Sequence, residues 1–139
     1  MKTEINAYLA FNGTAREAMT FYRDVLGGEL SIMAVADTPA KDKFPEAELK
    51  KVMHSALISG DITLFATDML PDGEFTEGNG VTMSLSCSSE KEIDEYFNKL
   101  SNGGKVIHPL HREFWGGMFA VVVDKFGKKW MLNSEMDNK

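Results

Sequence analysis

The side chains best equipped for chemistry in this sequence are three histidines and a group of aromatic and thioether residues. His54 stands near the start of the strand-like run Met53–Ser59. Imidazole titrates near neutral pH, so His54 is a candidate for hydrogen bonding or proton transfer, with a structural histidine at a strand end as the plainer alternative. His108 and His111 have a His-x-x-His spacing that would put both rings on one helical face, but Pro109 lies between them. That stretch is expected to be a strand end or loop. Together with His54 and Glu113, these are the residues from which an atypical metal site could be drawn. Cys87 excludes an internal disulfide because it is the only cysteine, and no base stands beside it to make a nucleophile. No Gly-x-Ser-x-Gly elbow or phosphate-binding loop occurs. Phe114-Trp115-Gly116-Gly117 sets two large rings beside flexible backbone, either at a binding cleft or at a core hinge. Met131 with Tyr8, Phe65, Phe114 and Trp115 could line an adaptable apolar pocket.

The chain has 139 residues, enough for one domain with a sizeable core. Its formal charge of -6 disfavours nucleic-acid backbones and anionic membranes as partners. The beginning, Met1-Lys2-Thr3-Glu4, lacks the apolar run of a secretory leader, so a cytoplasmic protein is expected.

The elements that must position these residues form a repeat. Ile5–Phe11 alternates as a strand; Thr14-x-x-Glu17 is a capping box for a helix with apolar residues at helical spacing, closed by Gly27-Gly28. Strand-like runs follow at Glu29–Ala36, Met53–Ser59 and Ile62–Thr67, the last two joined by Gly60-Asp61. The long charged insertion 36–52 includes a short helical turn expected in Phe44–Leu49. A shift of about 75 residues lays Ser89-x-x-Glu92 on Thr14-x-x-Glu17 and Gly103 on Gly28. Ile93, Tyr96, Phe97 and Leu100 then fall on Ala18, Phe21, Tyr22 and Val25. A strand at Val81–Cys87 precedes this second helix, and strands at Lys105–Leu110, Met118–Val123 and Lys129–Asn133 follow it. Asp124-Lys125-Phe126-Gly127 is a hairpin connection rather than a catalytic pair. The pattern implies a duplicated supersecondary unit, with modules at about 1–69 and 80–139 and a linker at 70–79.

Ala7-Tyr8-Leu9-Ala10-Phe11-Asn12-Gly13, Phe21-Tyr22-Arg23-Asp24-Val25-Leu26-Gly27-Gly28, Phe114-Trp115 and Asp124–Asn133 carry a resemblance. The chain resembles the vicinal oxygen chelate superfamily of glyoxalase I, extradiol dioxygenases and bleomycin-resistance proteins. Within it, the closer likeness is to the PhnB-like subgroup, labelled three-demethylubiquinone methyltransferase-like. The resemblance implies an α+β fold of two tandem βαβββ modules whose half-barrel sheets face each other, commonly in a homodimer, and a histidine at the position of His54. It does not imply methyl transfer. The superfamily's metal-ligand positions map to about Asn6, Thr63, Thr82 and Met131, none of which supplies imidazole, carboxylate or thiolate. The expectation is a protein without a metal cofactor that binds a small apolar or aromatic molecule in a cleft lined by Asn6, Tyr8, His54, Thr63, Phe65, Thr82, Phe114, Trp115 and Met131. A metal-dependent glyoxalase- or dioxygenase-like enzyme is the alternative, and a domain devoted to protein association a third.

Overall fold

Ala15, Ala18, Met19, Tyr22, Val25 and Leu26 recur at helical spacing and are all buried, which fixes the face that helix α1 (Ala15–Leu26) turns inward. The chain falls into two compact units, Met1–Thr76 and Glu77–Lys139. The computed structural model describes residues 2–70 and 73–135. In the first unit α1 packs against a sheet of β1 (Ala7–Ala10), β2 (Glu29–Ala34), β3 (Val52–Ser59) and β4 (Ile62–Thr67), ordered β1-β4-β3-β2. The second unit repeats this with β5 (Met83–Cys87), α2 (Glu90–Ser101), β6 (Lys105–Arg112), β7 (Met118–Val123) and β8 (Lys129–Ser134), ordered β5-β8-β7-β6. In each unit the first strand runs parallel to the last and the other pairs are antiparallel. These are the tandem βαβββ modules implied by the internal repeat.

Strand alternation separates two faces. Leu57, Leu64 and Ala66 are buried, while their neighbours Ala56 and Phe65, paired across β3 and β4, occupy the opposite face. In β8, Trp130, Leu132 and Ser134 are buried, alternating with the less buried Lys129, Met131 and Asn133.

Several boundaries differ from expectation. β1 begins at Ala7 and β5 at Met83, so Asn6 and Thr82 each stand just before a strand. The insertion after β2 forms three 3-10 turns, at Val35–Asp37, Pro39–Lys43 and Glu46–Glu48, rather than one. The 108–111 stretch is the end of a strand rather than a loop: β6 runs through Pro109 to Arg112, two residues past the expected Leu110. The proline is tolerated because β6 lies at the edge of its sheet.

The capping box expected at Thr14 does not form, since the Thr14 side chain makes no capping bond. A carboxylate distant in sequence replaces it. Buried Asp68 accepts N–H bonds from Gly13 (3.0 Å), Ala15 (3.0 Å) and Val52 (2.9 Å), tying the start of α1 to the start of β3. The second helix is capped locally: Ser89 Oγ accepts from Glu92 N at 3.0 Å, and Glu92 accepts from Ser88 N. Asp124 organises the β7–β8 hairpin as expected. Its Oδ1 accepts from Phe126 N and Lys128 N, its Oδ2 accepts from the Trp130 indole, and Gly127 supplies the positive φ of 89°. From the expected linker, Glu77 holds the Lys128 ammonium with both carboxylate oxygens at 2.8 Å; Pro71 and Asp72 of that linker lie outside the described residues.

Candidate functional site

The first sheet assembles an aromatic cluster on the face turned away from α1. Tyr8 of β1 and Phe65 of β4 are in register, so both rings leave the sheet on the same side, with centroids 5.7 Å apart. His54 joins them through a bulge: Met33 pairs with His54 and Ala34 with Val52, which leaves Met53 as the extra residue in β3. A bulge bends its strand and re-aims side chains. Here two consecutive residues, Met53 and His54, both come to Tyr8, which simple alternation would forbid. The Tyr8 hydroxyl lies 2.8 Å from His54 Nδ1, and the His54 ring stands 5.7 Å from Tyr8 and 5.4 Å from Phe65. Tyr8 remains 53% exposed, so this polar pair is accessible.

Beside the cluster opens a cavity of about 400 Å³ lined by Tyr8, Ala10, Met53, Thr67 and Met69. Its walls are mainly apolar. The Thr67 hydroxyl donates to the Met53 carbonyl at 2.7 Å and accepts from Met69 N at 2.9 Å, so it is engaged with backbone. Thr63 lies opposite Ile58 at the far end of the same strand pair. Met53, Met69, Ala10 and Thr67 were not among the nominated cleft residues. Ala10 and Thr67 pair two residues beyond Tyr8 and Phe65, so strand alternation puts them on the same face, whereas the placement of Met53 depends on a bulge with no sequence signature.

The remaining nominated residues lie in the second unit. Met131 is in register with Ser84 and Val121. Phe114 and Trp115 meet edge-to-face at 5.4 Å in the β6–β7 turn, which is closed by Gly116 N to Glu113 O (2.9 Å) and Glu113 N to Gly117 O (2.8 Å). Phe114 is 96% exposed. The Trp115 indole lies so close to Gly117 that a methyl group there would stand 2.5 Å from its nitrogen.

His108 and His111 both pair within β6, across two irregularities in its register with β7. His111 Nδ1 lies 2.6 Å from the Pro109 carbonyl and Nε2 lies 2.5 Å from Glu113 Oε1. The carbonyl first and the carboxylate second raise its pKa above the ordinary 6.5. Burial and then the nearby Glu92 push the Cys87 thiol up to about 12, which leaves it protonated and weakly nucleophilic at neutral pH.

The metal implied by the superfamily resemblance does not fit these residues. Asn6, Thr63, Thr82 and Met131 present amide, hydroxyl and thioether groups, poor partners for a divalent cation. Among the described residues, no three His, Cys, Asp or Glu side chains converge where they could hold one. The atypical set of His54, His108, His111 and Glu113 therefore gains no ligand geometry from the fold.

Comparison with known proteins agrees with this architecture. Residues 3–133 match the family model described as 3-demethylubiquinone-9 3-methyltransferase. Protein PA1353 from Pseudomonas aeruginosa is 36% identical and superposes with a TM-score of 0.87, over 98% of this chain and 100% of that one. The PhnB protein from Bacillus cereus is 25% identical with a TM-score of 0.75, over 95% and 99% of the two chains. A glyoxalase/bleomycin resistance protein from Albidiferax ferrireducens shares the fold, with a TM-score of 0.64 at 18% identity, over 94% and 96%. The chain belongs to the family described as 3-demethylubiquinone-9 3-methyltransferase.

Proposed function

We propose that this chain is a binding protein for a small apolar or aromatic molecule, held without a metal ion in the hollow of the first sheet. The observation that carries the reading is the cavity beside the Tyr8–His54–Phe65 cluster, where aromatic faces and two methionines meet a single hydrogen-bonded polar pair. Aromatic rings supply flat contact area, and thioethers adapt to irregular ligand shapes. Ligand sites commonly combine a largely apolar wall with a few placed polar groups.

Methyl transfer, named in the family description, finds no glycine-rich nucleotide loop in this chain. Its paired glycines have other tasks: Gly27 caps α1, Gly104 closes the turn after α2, and Gly116 and Gly117 shape the β6–β7 turn. The working unit in this reading is a homodimer that engages neither nucleic acid nor membrane. The net charge of -6 is consistent with that, and no helix among the described residues is long and apolar enough to cross a bilayer.

Thermal unfolding in the presence of a panel of aromatic compounds and antibiotics tests the binding reading. A ligand that binds the native state raises Tm progressively as its concentration exceeds Kd. At least one aromatic compound should do so, with the effect reduced in Met53→Ala and Phe65→Ala. A Tm unmoved by the whole panel at millimolar concentrations would defeat the proposal.

A further inference from the structure

The hydrogen bonds around the cavity specify what kind of head group it accepts, an inference that rests on the first sheet's hollow being a ligand site. Of the described side chains on the wall, Ala10, Met53 and Met69 have no proton to donate. The proton of Thr67 is directed to the backbone carbonyl of Met53, and its oxygen is taken by Met69 N. Tyr8 is left as the wall side chain with hydrogen-bonding capacity toward the cavity, and that capacity is coupled to His54 at 2.8 Å.

A phenol beside a neutral imidazole has two proton arrangements. If Tyr8 donates to Nδ1, the phenol oxygen keeps a lone pair for the cavity. If Nδ1–H donates to the phenol oxygen, the phenol proton is free for the cavity. The Tyr8 hydroxyl thus offers an acceptor in one arrangement and a donor in the other. A ligand hydroxyl, which can both donate and accept, suits either. Among the described residues no charged side chain stands on the wall, so an anionic head would be desolvated against alanine and methionine without a fixed counter-charge.

We infer that the hollow takes a neutral planar molecule of largely apolar surface bearing a hydroxyl, of the phenol or naphthol class, with that hydroxyl bound by the Tyr8 hydroxyl, which His54 orients. The bulge at Met53 is the device that allows it, because it delivers the polar His54 and the apolar Met53 from consecutive positions to the same ring.

Calorimetric titration of the full-length protein with naphthol, naphthalene and naphthoate separates the alternatives. The expected result is that naphthol binds roughly tenfold more tightly than naphthalene, with naphthoate weaker than naphthol. Tyr8→Phe keeps the ring and removes the hydroxyl; it should bring naphthol to near parity with naphthalene while the naphthalene affinity holds. His54→Leu leaves the Tyr8 hydroxyl in place and should keep a naphthol preference, and the melting curves of both variants check that the fold persists. Equal binding of naphthol and naphthalene by the parent protein would overturn the inference and leave the hollow as a purely apolar ligand site. So would a naphthol preference that survives Tyr8→Phe, or tighter binding of naphthoate. Failure of all three compounds to bind up to their solubility limits would overturn both the inference and the ligand-site reading beneath it.

Discussion

His111 shows how a single side chain acquires a protonation preference from its surroundings. Both ring nitrogens face acceptors, the Pro109 carbonyl and the Glu113 carboxylate, and only the doubly protonated ring can donate to both. The folded pKa is therefore raised above 6.5, and the sign of the linkage follows. The associated stability is fully present below the unfolded pKa and is lost as pH rises through the folded one. In an NMR titration the His111 midpoint should lie above 6.5; Glu113→Gln should lower it without returning it to 6.5, because the carbonyl bond, the larger cause, remains. A parent midpoint at or below 6.5 contradicts this geometry. Cys87 behaves in the opposite way: its buried thiol, with a pKa of about 12, should react with a disulfide reagent at pH 8 only as fast as the protein opens, and promptly in denaturant. At this scale the sequence was only partly legible. Period-two alternation was enough to put Tyr8 and Phe65 on one face. It was not enough to put Met53 there beside His54, because a one-residue bulge in β3 breaks the period without leaving a turn residue to mark it.

Among the elements, α1 depends on a partner far along the chain. Thr14 and Glu17 have the spacing of a local cap, yet Asp68, placed just after β4, occupies that role. The choice is physically reasonable: a carboxylate satisfies two backbone donors at the helix start, favours the positive end of the helix dipole, and reaches Val52 N as well. Asp68→Ala would leave these N–H groups, two of them buried, without their acceptor and should cost about 3 kcal/mol in urea unfolding at unchanged m value. Asp68→Asn, which keeps an acceptor oxygen, should cost less, and Thr14→Ala far less than either. A Thr14→Ala loss as large as that of Asp68→Ala would restore the local cap. The helices themselves, the Gly60-Asp61 and Asp124–Gly127 connections and most strands followed directly from sequence, since each rests on interactions within a few residues. The cap and the extension of β6 from Leu110 to Arg112 did not, because they depend on which strand neighbours which and on which one lies at the edge.

For the molecule as a whole, the 75-residue repeat was the most informative feature of the sequence, because duplication fixes topology twice over. It says less about association. β6 and the turn after it leave Val106, Ile107, Phe114 and Trp115 exposed within one short stretch of the second unit, an apolar grouping that a lone chain would hold in water. Strand-to-strand addition along this edge is obstructed by Pro109 and by the irregularities in β6, with Lys105 and Arg112 at its ends. Association here should therefore run through side chains, with the Phe114 ring as anchor. On this argument light scattering at micromolar concentration should give twice the 15.5 kDa mass of one chain. Phe114→Ser, at a position 96% exposed and so without consequence for the core, should shift that mass toward the single chain on dilution while Tm of the monomer is preserved. A parent protein that is monomeric throughout would remove the homodimer from the proposal. A dimer indifferent to Phe114→Ser would move its interface to another surface.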